Sequence, residues 1–116
     1  MKENSINPAL LKMKEPILLL EDRKENQERL KKFCEKLGIR YNLAENGEIG
    51  LRMCEAGDFS IYIVDLMMPV MDGREFISEL KKKRPDALIL IQTVIDDPNT
   101  IIELMKMGIF DYIINE

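Results

Sequence analysis

Five short apolar runs, spaced by stretches of helical periodicity, restrict this chain to very few folds. The runs are Ile17-Leu18-Leu19-Leu20, Ile39 to Ala44, Ile61-Tyr62-Ile63-Val64, Ala87 to Thr93, and Tyr112-Ile113-Ile114. Most lack the alternation of a strand with one wet face, so they read as strands buried on both sides. Between them, apolar residues recur at helical spacing: Leu30, Phe33, Cys34 and Leu37 within Glu25 to Leu37, then Ile49, Leu51 and Met53 as far as about Ala56. Phe76, Ile77 and Leu80 mark a third helix from about Arg74 to Lys83, and Ile101, Ile102, Leu104 and Met105 a fourth that closes at Gly108. Gly38 suits a helix C′ position, while Asn46-Gly47, Asp72-Gly73 and Pro85 punctuate the remaining joints. Asp97 or Asn99 is expected to cap the fourth helix. Strand and helix alternate four times before a last strand, which predicts an α/β fold with a parallel sheet covered on both faces. Right-handed crossovers make it doubly wound. The flavodoxin-like strand order 2-1-3-4-5 then sets strands one and three side by side at the switch point.

The 116 residues suffice for one domain with a real core, and the net charge of −4 gives no general attraction to nucleic acid or anionic membrane. The run Lys81-Lys82-Lys83-Arg84 falls in the last turn of a helix, where cations complement the dipole, so it predicts a solvated helix end and no direct nucleic-acid contact. There is no His, which removes Ser-His-Asp and Cys-His catalysis and two-His zinc sites. Cys34 and Cys54 are too few and too far apart for a disulfide scaffold or zinc cluster, and Cys34 is expected to be a buried, reduced thiol. No apolar stretch approaches a membrane span and no signal-peptide core is evident, so a cytoplasmic protein is expected. Residues 1–15 read as a polar tail or linker, with a weak apolar patch at Leu10, Leu11 and Met13.

Acids gather where such a fold puts its chemistry. Asp65 ends the third run, and Glu21-Asp22 ends the first. Carboxylates at adjacent strand ends repel one another and call for a hard cation; with a backbone carbonyl and water they form the ligand set that Mg²⁺ prefers. Asp65 then offers one oxygen to the metal and another to an incoming phosphoryl group, and the hydroxyl of Thr93 stands at the fourth strand's end to bond a phosphoryl oxygen.

The sequence resembles the receiver domain of two-component response regulators over nearly all of the chain from Pro16 onward. The resemblance rests on Ile17-Leu18-Leu19-Leu20-Glu21-Asp22 with Asn26 and Leu30 beyond it, and on Ala44-Glu45-Asn46-Gly47. It rests above all on Val64-Asp65-Leu66-Met67-Met68-Pro69-Val70-Met71-Asp72-Gly73, and it is completed by Gln92-Thr93 and Gly108-Ile109-Phe110-Asp111-Tyr112-Ile113. It implies that Asp65 is the phosphoacceptor and that Glu21, Asp22, Asp65 and the backbone carbonyl of Met67 hold Mg²⁺. It further implies that Thr93 and Tyr112 form the switch, and that a histidine kinase or phosphotransfer protein supplies the phosphoryl group. Such domains catalyse only their own phosphorylation and dephosphorylation.

One departure matters. The family places a Lys three residues beyond the aromatic, and this chain has Asn115 there, followed by Glu116. An amide cannot supply an ammonium point charge. The receiver, taken as residues 16–116, also stops where the family continues into a fifth helix; this leaves part of one sheet face uncovered. An effector domain or a second receiver, packed on the last helix-strand face, is a further expected partner. The rival function is a degenerate receiver used as a phosphate-independent docking or dimerisation module. A hydrolase resembling haloacid dehalogenases would need a second Asp at the position of Met67, and a flavin carrier would need a Ser/Thr/Gly-rich loop after the first strand.

Overall fold

The computed structural model describes residues 14–93 and 97–114, the last two by their backbone alone. Five parallel strands, β1 (Ile17–Leu20), β2 (Tyr41–Ala44), β3 (Ile61–Asp65), β4 (Ile89–Thr93) and β5 (Asp111–Ile114), form one sheet in the order β2-β1-β3-β4-β5. The helices are α1 (Lys24–Leu37), α2 (Gly47–Ala56), α3 (Gly73–Lys83) and α4 (Pro98–Lys106). The doubly wound order expected from the alternation is the order found.

Successive side chains on a strand point to opposite faces, and the core divides accordingly. Leu18 and Leu20, Tyr62 and Val64, and Ile89 and Ile91 meet α2, α3 and α4 through Cys54, Phe76, Ile77, Leu80 and Leu104. Ile17 and Leu19 face the other way and pack under α1 against Leu30 and Cys34. Among the described residues α1 alone covers that face, and an apolar groove of about 340 Å³ runs beside it over Ile63, Leu90 and Ile91. Phe33 borders this groove and is 55% exposed, although its helical spacing groups it with Leu30 and Cys34. It faces the groove over β3 and β4, which no described helix fills, so its outer side stays open.

Local chemistry sets the helix ends. Gly38 takes φ +71 after α1, and its N–H and that of Ile39 bond the last carbonyls of the helix. Asn46 and Asp97 cap α2 and α4 by accepting from the N–H groups of Ile49 and Thr100. The cap of α4 is therefore Asp97, with Pro98 and Asn99 inside the helix.

Candidate functional site

Sheet order brings the carboxyl ends of β1 and β3 together. Leu20 stands opposite Val64, so Glu21 and Asp65 leave adjacent strands side by side, and Asp22 follows in the turn. One carboxylate oxygen from each of Glu21, Asp22 and Asp65 lies within 4.8 Å of the other two. The three are held differently. Glu21 is 1% exposed; its Oε2 accepts from the Arg23 N–H at 3.1 Å, and its carbonyl accepts from Gln27 Nε2 at 2.7 Å. Half-buried Asp65 accepts from the Met67 N–H at 3.1 Å through Oδ1. The Oδ1 of Asp22 is buried and, among the described residues, accepts no hydrogen bond.

Crowding acids out of water raises the proton affinity of Glu21 and Asp65. Burial pushes the Glu21 carboxyl up to about 7, with the negative charges of Asp65 and Asp22 adding to the rise and the Arg23 N–H opposing it. Burial also raises Asp65, against the Met67 N–H and a hydrogen bond from Glu21. Glu21 and Asp65 thus act as one coupled pair that retains a proton near neutral pH. A hard cation would remove the reason for that proton. The donor set is all oxygen and carries an orphaned acceptor on Asp22, a fit to Mg²⁺ by charge, hardness and spacing.

The β3–α3 connection holds Asp65 in place. Asp72 caps α3 by accepting from the Glu75 N–H at 3.0 Å, and the Gly73 N–H donates to the Leu66 carbonyl at 3.1 Å. A Cβ on Gly73 would lie 2.5 Å from the Asp65 carbonyl oxygen and 2.8 Å from Leu66 Cα. Only glycine lets α3 begin this close to the strand that carries Asp65. Leu66 and Met68 anchor the loop inward, while Met67 and Val70 are exposed. Val70 takes φ +67, a strained value for a β-branched residue. The Gly47 N–H donates to the Met71 carbonyl at 3.0 Å and ties the loop to α2.

The remaining expected site residues lie around this pocket. Gln92 pairs with Asp65 across β3 and β4, and buried Thr93 follows it at the end of β4. Tyr112 pairs with Ile91 and packs half-buried against the core. Asn115 and Glu116 lie outside the described residues, as does most of the expected tail. The Lys81–Arg84 run is occupied locally. Lys81 bonds the carbonyls of Pro85 and Ala87, and Lys82, Lys83 and Arg84 pair with Glu79, Glu55 and Asp58. Two contributors were not legible as such in the sequence: Gln27, which steadies the Glu21 carbonyl, and Gly73, which admits the close approach. The Asp72-Gly73 pair signals a turn. Nothing in it tells that the missing side chain faces Asp65.

The fold and the position of the acid pocket define a receiver-like α/β domain. The family model of the response regulator receiver domain matches residues 17–115, and the chain belongs to that family. The response regulator TrrA of Thermotoga maritima, solved in complex with Mg(2+)-BeF, is 28% identical; the match covers 88% of this chain and 87% of that one, with a TM-score of 0.78. The receiver domain of Francisella response regulator 1452 is 26% identical over 87% of this chain and 84% of its own, with a TM-score of 0.81. A probable C4-dicarboxylate response regulator, DctR of Halalkalibacterium halodurans, is 31% identical over 87% of this chain. The chain spans 46% of that relative and 26% of a 29% identical cyclic di-GMP phosphodiesterase of Thermotoga maritima, which it matches over 84% of its own length.

Proposed function

We propose that this receiver domain is a Mg²⁺-dependent phosphoacceptor switch with Asp65 as the acceptor. The observation that carries the reading is the convergence of Glu21, Asp22 and Asp65, with a buried, unbonded oxygen on Asp22. The Mg²⁺–BeF complex of the related TrrA protein supports it by similarity. In this reading Glu21, Asp22, Asp65 and the Met67 carbonyl hold the ion. Bound there, Mg²⁺ would offset the charge that develops on phosphoryl transfer.

The protein's own groups do the rest. The Met67 N–H fixes the Asp65 carboxylate through Oδ1. An Asp65 oxygen attacks phosphorus, forming one P–O bond as the bond to the donor breaks and the donor atom leaves with the electron pair. That donor atom is a phosphohistidine nitrogen of a histidine kinase or phosphotransfer protein. The proton held between Glu21 and Asp65 must leave before Asp65 can act. The Thr93 hydroxyl bonds a phosphoryl oxygen, and the Tyr112 side chain carries the change to the α4–β5 face. There Ile102 and Met105 are exposed and available to an effector domain or a second receiver. Hydrolysis of the acyl phosphate by water resets the domain, so its chemistry acts on itself alone. We take the receiver as residues 16–116, with residues 1–15 as a tail or linker, and its site of action as the cytoplasm; among the described residues no helix is long and apolar enough to cross a membrane.

Incubation with a small phosphodonor and Mg²⁺, followed by mass spectrometry, tests the assignment. A single added phosphoryl group is expected in the native chain and none in Asp65→Asn. Modification that persists in the variant moves the acceptor elsewhere.

A further inference from the structure

A phosphorylated pocket here carries more negative charge than one divalent ion cancels. Forming the acyl phosphate removes the Asp65 charge and brings about two from the phosphoryl group. Glu21 and Asp22 keep one each, so roughly two remain after Mg²⁺ is counted. Asn115 contributes no charge.

Most cations on the described helix surfaces are engaged elsewhere. Arg52, Arg74 and Lys31 pair with Glu48, Glu103 and Glu28, and the Lys81–Arg84 run is held as described. Arg23 differs. It follows Asp22 directly, its N–H is 3.1 Å from Glu21 Oε2, and its side chain is exposed. Among the described residues its guanidinium makes no hydrogen bond or ion pair. Helix stability does not explain its position. Arg23 is the N-cap of α1 and makes no capping bond, where Ser, Thr, Asp or Asn is preferred and where a cation opposes the helix dipole. A residue that breaks a local rule beside a charged pocket points to a task in that pocket.

We propose that Arg23 is the phosphoryl-binding cation of this receiver, its guanidinium turning from solvent to bond two phosphoryl oxygens and supplying the charge that Asn115 lacks. The planar fork suits this contact, because two parallel N–H donors match a phosphoryl edge. The inference rests on Asp65 as the acceptor.

Titration of the full chain with Mg²⁺ alone, and then with beryllofluoride in saturating Mg²⁺, followed by amide NMR, tests it. Arg23→Gln is expected to weaken beryllofluoride uptake about tenfold, the loss of one charge-assisted contact. Mg²⁺ affinity should stay the same or tighten slightly, since a like charge is removed. Arg23→Lys should retain part of the effect, and adding Asn115→Lys to Arg23→Gln should restore uptake. Equal beryllofluoride affinity in native chain and Arg23→Gln overturns the role of Arg23 and leaves Asp65 standing. A parallel loss of Mg²⁺ affinity also overturns it, by making Arg23 a positioning residue for the Glu21-Asp22 turn. Failure of the native chain itself to take up Mg²⁺ and beryllofluoride sinks the Asp65 reading and this inference together.

Discussion

Without metal, the domain should lose stability as pH rises from about 4.5 to about 8, the reverse of what salt-bridged carboxylates produce. The folded Glu21 carboxyl titrates at about 7 against an ordinary 4.5. Between those values the folded state keeps a proton that the unfolded chain has released. The stabilisation is therefore fully present below the ordinary value and is lost as pH rises through the folded one. At 1.36 kcal/mol per unit, the gap corresponds to about 3 kcal/mol, shared by the coupled Glu21–Asp65 pair and not counted twice. Glu21 is almost wholly buried, so solvent screening does not erode that figure. Against the 5–15 kcal/mol that holds a typical domain together, about 3 kcal/mol would move the melting temperature by roughly 10 °C or more. Saturating Mg²⁺ binds the ionised carboxylates of the folded state and should flatten the slope. Urea unfolding across this range, in EDTA and in Mg²⁺, measures the effect. Glu21→Gln, which cannot titrate, should flatten the EDTA curve as Mg²⁺ does. An EDTA curve that is flat or rises with pH, or a falling one that survives unchanged in Glu21→Gln, would refute the argument.

Three further substitutions test the scaffold around the site. Gly73→Ala sets a methyl against backbone atoms of Asp65 and Leu66 that cannot yield, so urea unfolding should show a loss of about 1–3 kcal/mol; a loss near zero would mean that α3 can draw back freely. Val70→Gly relieves a left-handed β-branched residue on the surface and should raise stability by roughly 1 kcal/mol after the added freedom of the unfolded chain is subtracted. A destabilised Val70→Gly would show that the loop does not hold this conformation in solution. Asp72→Ala removes the α3 cap and should cost about 1 kcal/mol in the same assay, and an unchanged midpoint would assign that bond no weight.

Sequence periodicity carried the fold because each element is bounded by its own chemistry. Gly38, Asn46, Asp72 and Asp97 end or begin helices where residues of their type do so for local reasons, and the strands between them show no competing pattern. Phe33 resisted the same reasoning. Spacing tells which residues share a helix stripe, but how much of the stripe is covered depends on what lies opposite, and Phe33 faces a groove over β3 and β4 that no described helix fills.

The site divides along the same line. Glu21, Asp22 and Asp65 could be brought together from topology, since strand order and register decide which strand ends are neighbours. The quantities that govern their chemistry are not topological. The unbonded oxygen of Asp22, the proton held between Glu21 and Asp65, and the solvent-facing guanidinium of Arg23 each depend on side-chain burial and on distances of a few ångströms. Sequence spacing does not set those distances. Asn115 shows the converse. Its departure from the family Lys is plain in the sequence alone, yet what that costs depends on whether another cation can reach the pocket, and the placement of Arg23 beside Glu21 supplies a candidate. If Arg23 plays the part proposed above, a motif residue can be replaced without loss of the site because the β1–α1 turn delivers the same charge from another direction.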